Sequence, residues 1–283
     1  MTAATGTPSG LPLSDDVARG LATVAANGRA AVSLAETSAG SAVIKLHARP
    51  DRWRAELHAY LVWVPAVADR APALLGASNE PPALVLSAVP GRRLDQARLT
   101  PDAERAAYAE LGQLLRAFHA SAPVRHGTDI TSWLAERGRH WLTLATDLVS
   151  AQDRQRIANH LTELERLGDL PAAPCHLDLT PSNIIITPTD GIVVLDYEHA
   201  RYDLTARDLV RLHDRVWPDR PDLAAAFLDT YGPLNDLDRE IIQHTTPLDR
   251  LTRLVRSASR TPPHGTQPRP PTPSAPGSRP TET

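Results

Sequence analysis

The chain has 283 residues, 42% of them hydrophobic and 22% charged, with a formal net charge of −3 at pH 7. That length allows one large domain or two modest ones around a sizeable core, and the composition excludes a disordered or fibrous polymer. The charge balance gives no global attraction to nucleic acid or an anionic membrane, no run approaches the roughly 20 apolar residues of a membrane span, and the single cysteine, Cys175, excludes an intrachain disulfide framework. Without the charged and apolar blocks of a secretory signal at residues 1–20, the expected address is cytoplasmic.

Residues 1–10 are small and polar and read as a flexible start. Ala30 to Leu34 and Ala42 to Leu46 read as strands joined by a turn at Ser38-Ala39-Gly40, with a second turn at Asn27-Gly28. Lys45 falls inside the second strand. Of the 30 basic residues it alone is lysine, the others being arginine. A compact ammonium retained in such a chain suggests a place where a planar guanidinium does not fit.

After Pro50, Asp51 reads as the cap of a helix running to about Val64, with Trp53, Leu57, Tyr60, Leu61 and Val64 forming its apolar stripe. Glu56 borders that stripe, so its carboxylate needs a partner. An apolar strand, Ala83 to Leu86, is closed by Pro90-Gly91. Thr100-Pro101-Asp102 then opens a helix by cap, first-position proline and first-turn acid, with Tyr108, Leu111, Leu115 and Phe118 as its core face. Two more helices are expected between Ile130 and Leu167.

The period then changes. Ile184 to Ile186 and Ile192 to Leu195 flank Asp190-Gly191, a hairpin signal. Helices resume near Thr205, and from Ser259 the chain is proline-rich with little to bury, which reads as a disordered tail.

Chemistry concentrates around this hairpin. Asp178 and Asn183 precede it in Cys175-His176-Leu177-Asp178-Leu179-Thr180-Pro181-Ser182-Asn183, and Asp196 follows it. Folding the hairpin brings Asn183 and Asp196 to the same end. Two carboxylates and an amide oxygen there form a hard donor set suited to Mg²⁺.

His176-x-Asp178-x4-Asn183 resembles the catalytic loop of eukaryotic-like kinases, and the surrounding text is most similar to the aminoglycoside phosphotransferase family. Such a spacing arises by chance in about one chain in a hundred. Asp196-Tyr197-Glu198 stands where that family carries its second metal-binding aspartate. Arg207-Asp208-Leu209 resembles its later Asp-Leu element, and Leu111-Gly112-x-x-Leu115-x-x-Phe118-His119-Ala120 resembles the helix before the catalytic segment.

The resemblance, over about residues 20–250, implies an α+β, bilobal, protein-kinase-like fold. Residues 11–89 would form a small β-rich N-lobe and residues 90–258 a larger helical C-lobe. It implies an ATP- and Mg²⁺-dependent O-phosphotransferase acting on a small hydroxylated molecule, such as an aminoglycoside or other antibiotic. Asp178 would be the catalytic acceptor of the hydroxyl proton. Lys45, oriented by Glu56, would hold the phosphates, and Asn183 and Asp196 the metal. Backbone groups from Ser87 to Val89 would read the adenine edge, with His176 and Asp208 as structural supports.

Three features depart from the family's pattern. Leu177 replaces the usual glycine and is expected to pack inward. Asn27-Gly28 is a sparse phosphate loop, and the C-terminal text changes early. These motivate an alternative, a weak or inactive kinase-like protein that binds nucleotide or a partner. Glu198, Asp203, Asp214 and Asp219 could line an acceptor pocket. Interleaved with Arg201, Arg207, Arg211 and Arg215, they read instead as an ordinary charged helix surface.

Overall fold

Alternating apolar residues before and after the lone lysine build the first unit. In the computed structural model, which describes residues 32–37 and 40–258, β1 (Val32–Thr37) and β2 (Gly40–Leu46) pair antiparallel with Val32 opposite Lys45. β3 (Leu74–Asn79) and β4 (Pro82–Ser87) complete a four-stranded sheet in the order β1-β2-β4-β3, with Lys45 opposite Leu84. The readings made for residues 1–10, Asn27-Gly28, Ala30, Ala31, Ser38-Ala39 and the proline-rich tail lie outside the described residues.

The helix α1 (Pro50–Val62) starts two residues earlier than a cap at Asp51 implies. Arg49 is its extended entry residue and Pro50 takes the first helical position, where a missing N–H costs nothing. Asp51 lies in the first turn and pairs with Arg49 at 2.6 Å. Trp53, Leu57, Tyr60 and Val64 are buried as the stripe implies, whereas Leu61 is 43% exposed, because it sits on the flank of the face. Trp53 Nε1 donates to Ala83 O at 3.1 Å, tying helix to sheet. Burying that indole contributes about 2–3 kcal/mol.

The larger unit is mainly helical. α2 (Pro101–His119) is capped by Thr100, whose hydroxyl accepts from Ala103 N at 3.3 Å. α3 (Ile130–Leu144) and α4 (Ala151–Arg166) follow as expected, and α5 (Val210–Arg215), α6 (Pro221–Tyr231) and α7 (Asp236–Ala258) close the domain. The short strand β5 (Arg92–Arg93) pairs with the hairpin β7 (Ile184–Ile186) and β8 (Ile192–Val194), in which Ile184 faces Val194. β6 (Ala173–Cys175) pairs with β9 (Arg201–Asp203). The architecture is α+β and bilobal, a small sheet with one long helix above a helical body. Among the described residues no helix is long and apolar enough to cross a membrane.

α2 and α6 pack tightly because Gly112 carries no side chain. A Cβ there would collide with Thr230 Oγ1 and Phe227 O, and would sit 3.1 Å from Tyr231 N. Two of those atoms are backbone and cannot step aside. Gly112→Ala should therefore destabilise the fold by about 1–3 kcal/mol despite alanine's better helix propensity. A urea midpoint equal to or above wild type would contradict that close approach.

Candidate active site

Lys45 in β2 and His47, one residue past its end and two after Lys45, both meet Glu56 from α1. Glu56 is fully buried, with Lys45 Nζ at 2.8 Å and His47 Nε2 at 3.1 Å. Lys45 also lies 2.6 Å from Asp196 Oδ1 and 3.4 Å from Glu198 Oε2. Burial opposes its charge, but the Glu56 and Asp196 carboxylates outweigh burial and hold its pKa above the usual lysine range. The lone lysine is thus a fixed cation joining the sheet, α1 and the segment after the hairpin. His47 is a member of this cluster that the motif search passed over, although its two-residue separation from Lys45 marks it.

The catalytic-loop resemblance has an equally definite geometry. Asn183 Nδ2 donates to Asp178 O and Oδ2, both at 2.9 Å. The hairpin returns the chain beside it, Leu195 N donating to Asn183 O at 2.8 Å, so Asp196 emerges at the same end. Because Asn183 spends its amide N–H groups on Asp178, its Oδ1 is turned away as an acceptor. Asp196, at φ 67°, turns Oδ1 to Lys45, and its Oδ2 has no hydrogen-bond partner among the described residues. An amide oxygen and a carboxylate oxygen from two adjacent segments fit a hard divalent cation.

A buried brace fixes this loop. His176 N donates to Asp208 Oδ2 at 2.8 Å, and Leu177 N donates to Asp208 Oδ1. The same carboxylate lies 3.0 Å from His119 Nε2, whose Nδ1 contacts Tyr231 OH at 3.0 Å. His176 is itself buried. Its Nδ1 accepts from Asp178 N at 3.2 Å and its Nε2 donates to Leu195 O at 2.9 Å, so one tautomer links the loop to the hairpin's return. Tyr197 packs edge-on against the ring.

Leu177 does not pack inward. It is half-buried with φ 63° and faces a cavity. That left-handed backbone explains why glycine suits the position, since a side chain there costs on the order of 1 kcal/mol or more.

At the edge of the small lobe, Ser87 is already engaged. Its N–H donates to Ala73 O and its hydroxyl accepts from Ala73 N, both at 2.9 Å, while Ala88 N donates to Ser41 O at 3.0 Å. Val89 makes no backbone hydrogen bond among the described residues.

The cavity holds about 570 Å³ and lies between α1, α3, the segment after Asp196, α5 and α7. It adjoins the catalytic loop through Leu177, Lys45's neighbour Glu198, and Arg211, which pairs with Asp178 Oδ1. Of the four acids considered as pocket lining, Glu198 alone borders it. Asp203 is buried behind the wall, bound by Arg201 and Arg207, and Asp214 is tied to Arg250. Arg201, Arg207 and Arg211, set aside as a solvated surface, are the residues that face the cavity.

Two histidines here carry a pH signature. Burial first, then Arg52, Arg256 and Arg201, push the His199 pKa down to about 2, and its Nδ1 lies 2.7 Å from the Arg52 guanidinium. Burial also depresses His176, against the opposing pull of Asp208. The His199 ring stays neutral in the native state down to low pH, whereas an unfolded chain protonates it near pH 6.5. Its contribution is complete above pH 6.5 and drains as pH falls below that, about 1.4 kcal/mol per pH unit, and the lowered His176 acts in the same direction. Stability should therefore decline from pH 7 to 5, above the carboxylate range, and His199→Asn should flatten that decline. An unchanged slope in the variant would contradict the assignment.

Similarity to known proteins follows this geometry. A family model described as phosphotransferase enzyme family, APH, matches residues 22–241. No curated protein matches the chain in sequence. A choline kinase from Streptococcus pneumoniae superposes with TM-score 0.61 at 16% identity, covering 85% of this chain and 90% of that one. The AMP-bound spectinomycin phosphotransferase APH(9)-Ia superposes with TM-score 0.58 at 17% identity, covering 81% of each chain. Aminoglycoside phosphotransferase APH(3'')-Id from Streptomyces rimosus gives TM-score 0.55 at 20% identity, covering 85% of this chain and 99% of that one. At these identities the structures establish the protein-kinase-like fold, and the family model spans most of the sequence: the chain belongs to the APH family of phosphotransferase enzymes.

Proposed function

We propose that this protein transfers the γ-phosphate of ATP, with Mg²⁺, to a hydroxyl of a small molecule. The observation that carries the reading is the convergence of Asp178, Asn183 and Asp196 at the open end of the hairpin, beside the Lys45–Glu56 pair. Nucleotide complexes of structural neighbours, one with AMP and one with ADP and streptomycin, support nucleotide as the phosphate donor.

Phosphoryl transfer passes through a loose transition state, so the protein's task is to position groups and neutralise charge. Lys45, held by Glu56, presents its ammonium to the α- and β-phosphates. Asn183 Oδ1 and Asp196 Oδ2 would hold Mg²⁺, which when bound supplies neutralising charge on the phosphate oxygens. Asp178 accepts the hydrogen bond of the acceptor hydroxyl, orients it in line and takes its proton late, as the new O–P bond forms and the bond to ADP breaks. Val89 offers free backbone groups to the adenine edge, and Ser87 holds that edge in place. His176 and Asp208 keep the loop in register.

The test is ADP release over a panel of hydroxylated small molecules. Release should require ATP, Mg²⁺ and one class of acceptor, and should fall by about 10²–10⁴-fold in Asp178→Asn. The second reading, a kinase-like binding protein without turnover, draws on Arg211, which already occupies one oxygen of Asp178. Nucleotide binding with no ADP release from any acceptor would favour it.

A further inference from the structure

The acceptor cavity has a sign. Eight arginines line it against three carboxylates, and the carboxylates are committed elsewhere. Asp51 pairs with Arg49 at 2.6 Å, Glu198 lies 3.4 Å from Lys45, and Asp249 is shared by Arg211, at 3.2 Å, and Arg215. The buried Asp203 serves both Arg201 and Arg207 from behind the wall.

Four guanidiniums on the cavity have no carboxylate partner among the described residues, the exposed one of Arg54 and those of Arg52, Arg137 and Arg256. Arg52 reaches only neutral acceptors, Glu198 O at 3.3 Å and His199 Nδ1 at 2.7 Å. Arg137, half-buried, lies over the Trp133 ring at 5.7 Å, and Arg256 lies over the Trp141 ring at 5.8 Å. Burial first, then the like charges of Arg207, Arg201 and Arg256, push the Arg137 pKa down to about 9.

Gathering unpaired cations around a partly desolvated space is costly unless an anion completes the set. Guanidinium forks match the planar or trigonal faces of carboxylate and phosphate, and 570 Å³ suits a molecule the size of a substituted sugar. A polycation would meet repulsion instead.

We propose that the acceptor is an anion, a hydroxylated small molecule whose phosphate or carboxylate group is held by Arg52, Arg137 and Arg256 while its hydroxyl faces Asp178. The proposal rests on the phosphotransferase reading for the fate of that hydroxyl, and on the cavity alone for the charge. It sets this protein's acceptor apart from polycationic aminoglycosides.

Binding to the full chain without nucleotide tests the charge separately from the chemistry. Glucose 6-phosphate and gluconate serve as hydroxylated anions, with glucose and streptomycin as neutral and cationic controls. At least one anion should raise the melting temperature, with affinity falling as salt rises, and the controls should not. Arg137→Gln should weaken that binding at least tenfold, by loss of a charge-assisted bond. It should leave the ligand-free melting temperature undiminished, since no carboxylate loses a partner. Arg52→Gln should act in the same direction.

Inorganic phosphate that competes with glucose 6-phosphate would assign the phosphate arm, and gluconate binding alone the carboxylate arm. Streptomycin binding in preference to both anions, no anion binding, or anion binding indifferent to Arg137→Gln would each overturn the proposal. An anion held at Arg137 with no ADP release would leave the charge assignment standing and remove the phosphotransferase reading. ADP release with a cationic acceptor alone would do the reverse.

Discussion

Asp178→Asn should lower the turnover number by about 10²–10⁴-fold, the usual contribution of a positioned acid–base group, while nucleotide binding stays near wild type. The asymmetry follows from where Asp178 sits. Its Oδ2 accepts from Asn183 and its Oδ1 pairs with Arg211, which lines the cavity, so the side chain is held from two sides next to the space that would receive the acceptor. An asparagine keeps the size and one oxygen but cannot take a proton. Lys45, Glu56 and Asp196 are left in place, so the phosphate side of the site is preserved. Steady-state ADP release together with equilibrium nucleotide binding separates the two effects. Equal losses in both would mean that Asp178 organises the loop, and unchanged turnover would remove it from the chemistry.

Asp208→Ala should be the most damaging substitution for stability outside the apolar core, by about 3–5 kcal/mol. Removing its carboxylate strands the buried amides of His176 and Leu177 and leaves His119 without its acidic partner. Leu177 already holds a left-handed backbone, so the segment has little tolerance for losing its anchor. Asp208→Asn retains one acceptor oxygen and should cost less. Urea midpoints at pH 7 measure both. An alanine variant within about 1 kcal/mol of wild type would show that the brace is dispensable.

What could be read before folding was what chemistry marks locally. Lys45 stood out because no other lysine exists in the chain, and Glu56 because a carboxylate beside an apolar stripe needs a cation. The hairpin was legible from two β-branched runs around Asp190-Gly191. The brace from Asp208 was legible only through family resemblance, since 32 residues separate it from His176. β3 escaped because Gly76, Ala77, Ser78 and Asn79 are small or turn-forming, and its strand identity comes from pairing with β4. β6 and β9 escaped because three residues carry no period.

The basic cavity was least legible. Arg52, Arg137, Arg207 and Arg256 come from distant segments, and each looks like ordinary helix surface in its own text. Tertiary packing brings them to one wall. Acids that seemed candidates for that wall, Asp203 and Asp214, were instead drawn behind it by arginine partners.

The central claim is that Asn183 and Asp196 form a divalent-cation seat beside Asp178. Calorimetric titration of ATP with and without Mg²⁺, on the wild-type chain and on Asn183→Ala and Asp196→Ala, tests it most directly. Mg²⁺ should tighten ATP binding to the wild type, and either substitution should erase most of that gain while leaving metal-free ATP binding nearly unchanged. The same Mg²⁺ enhancement in all three proteins would contradict the account.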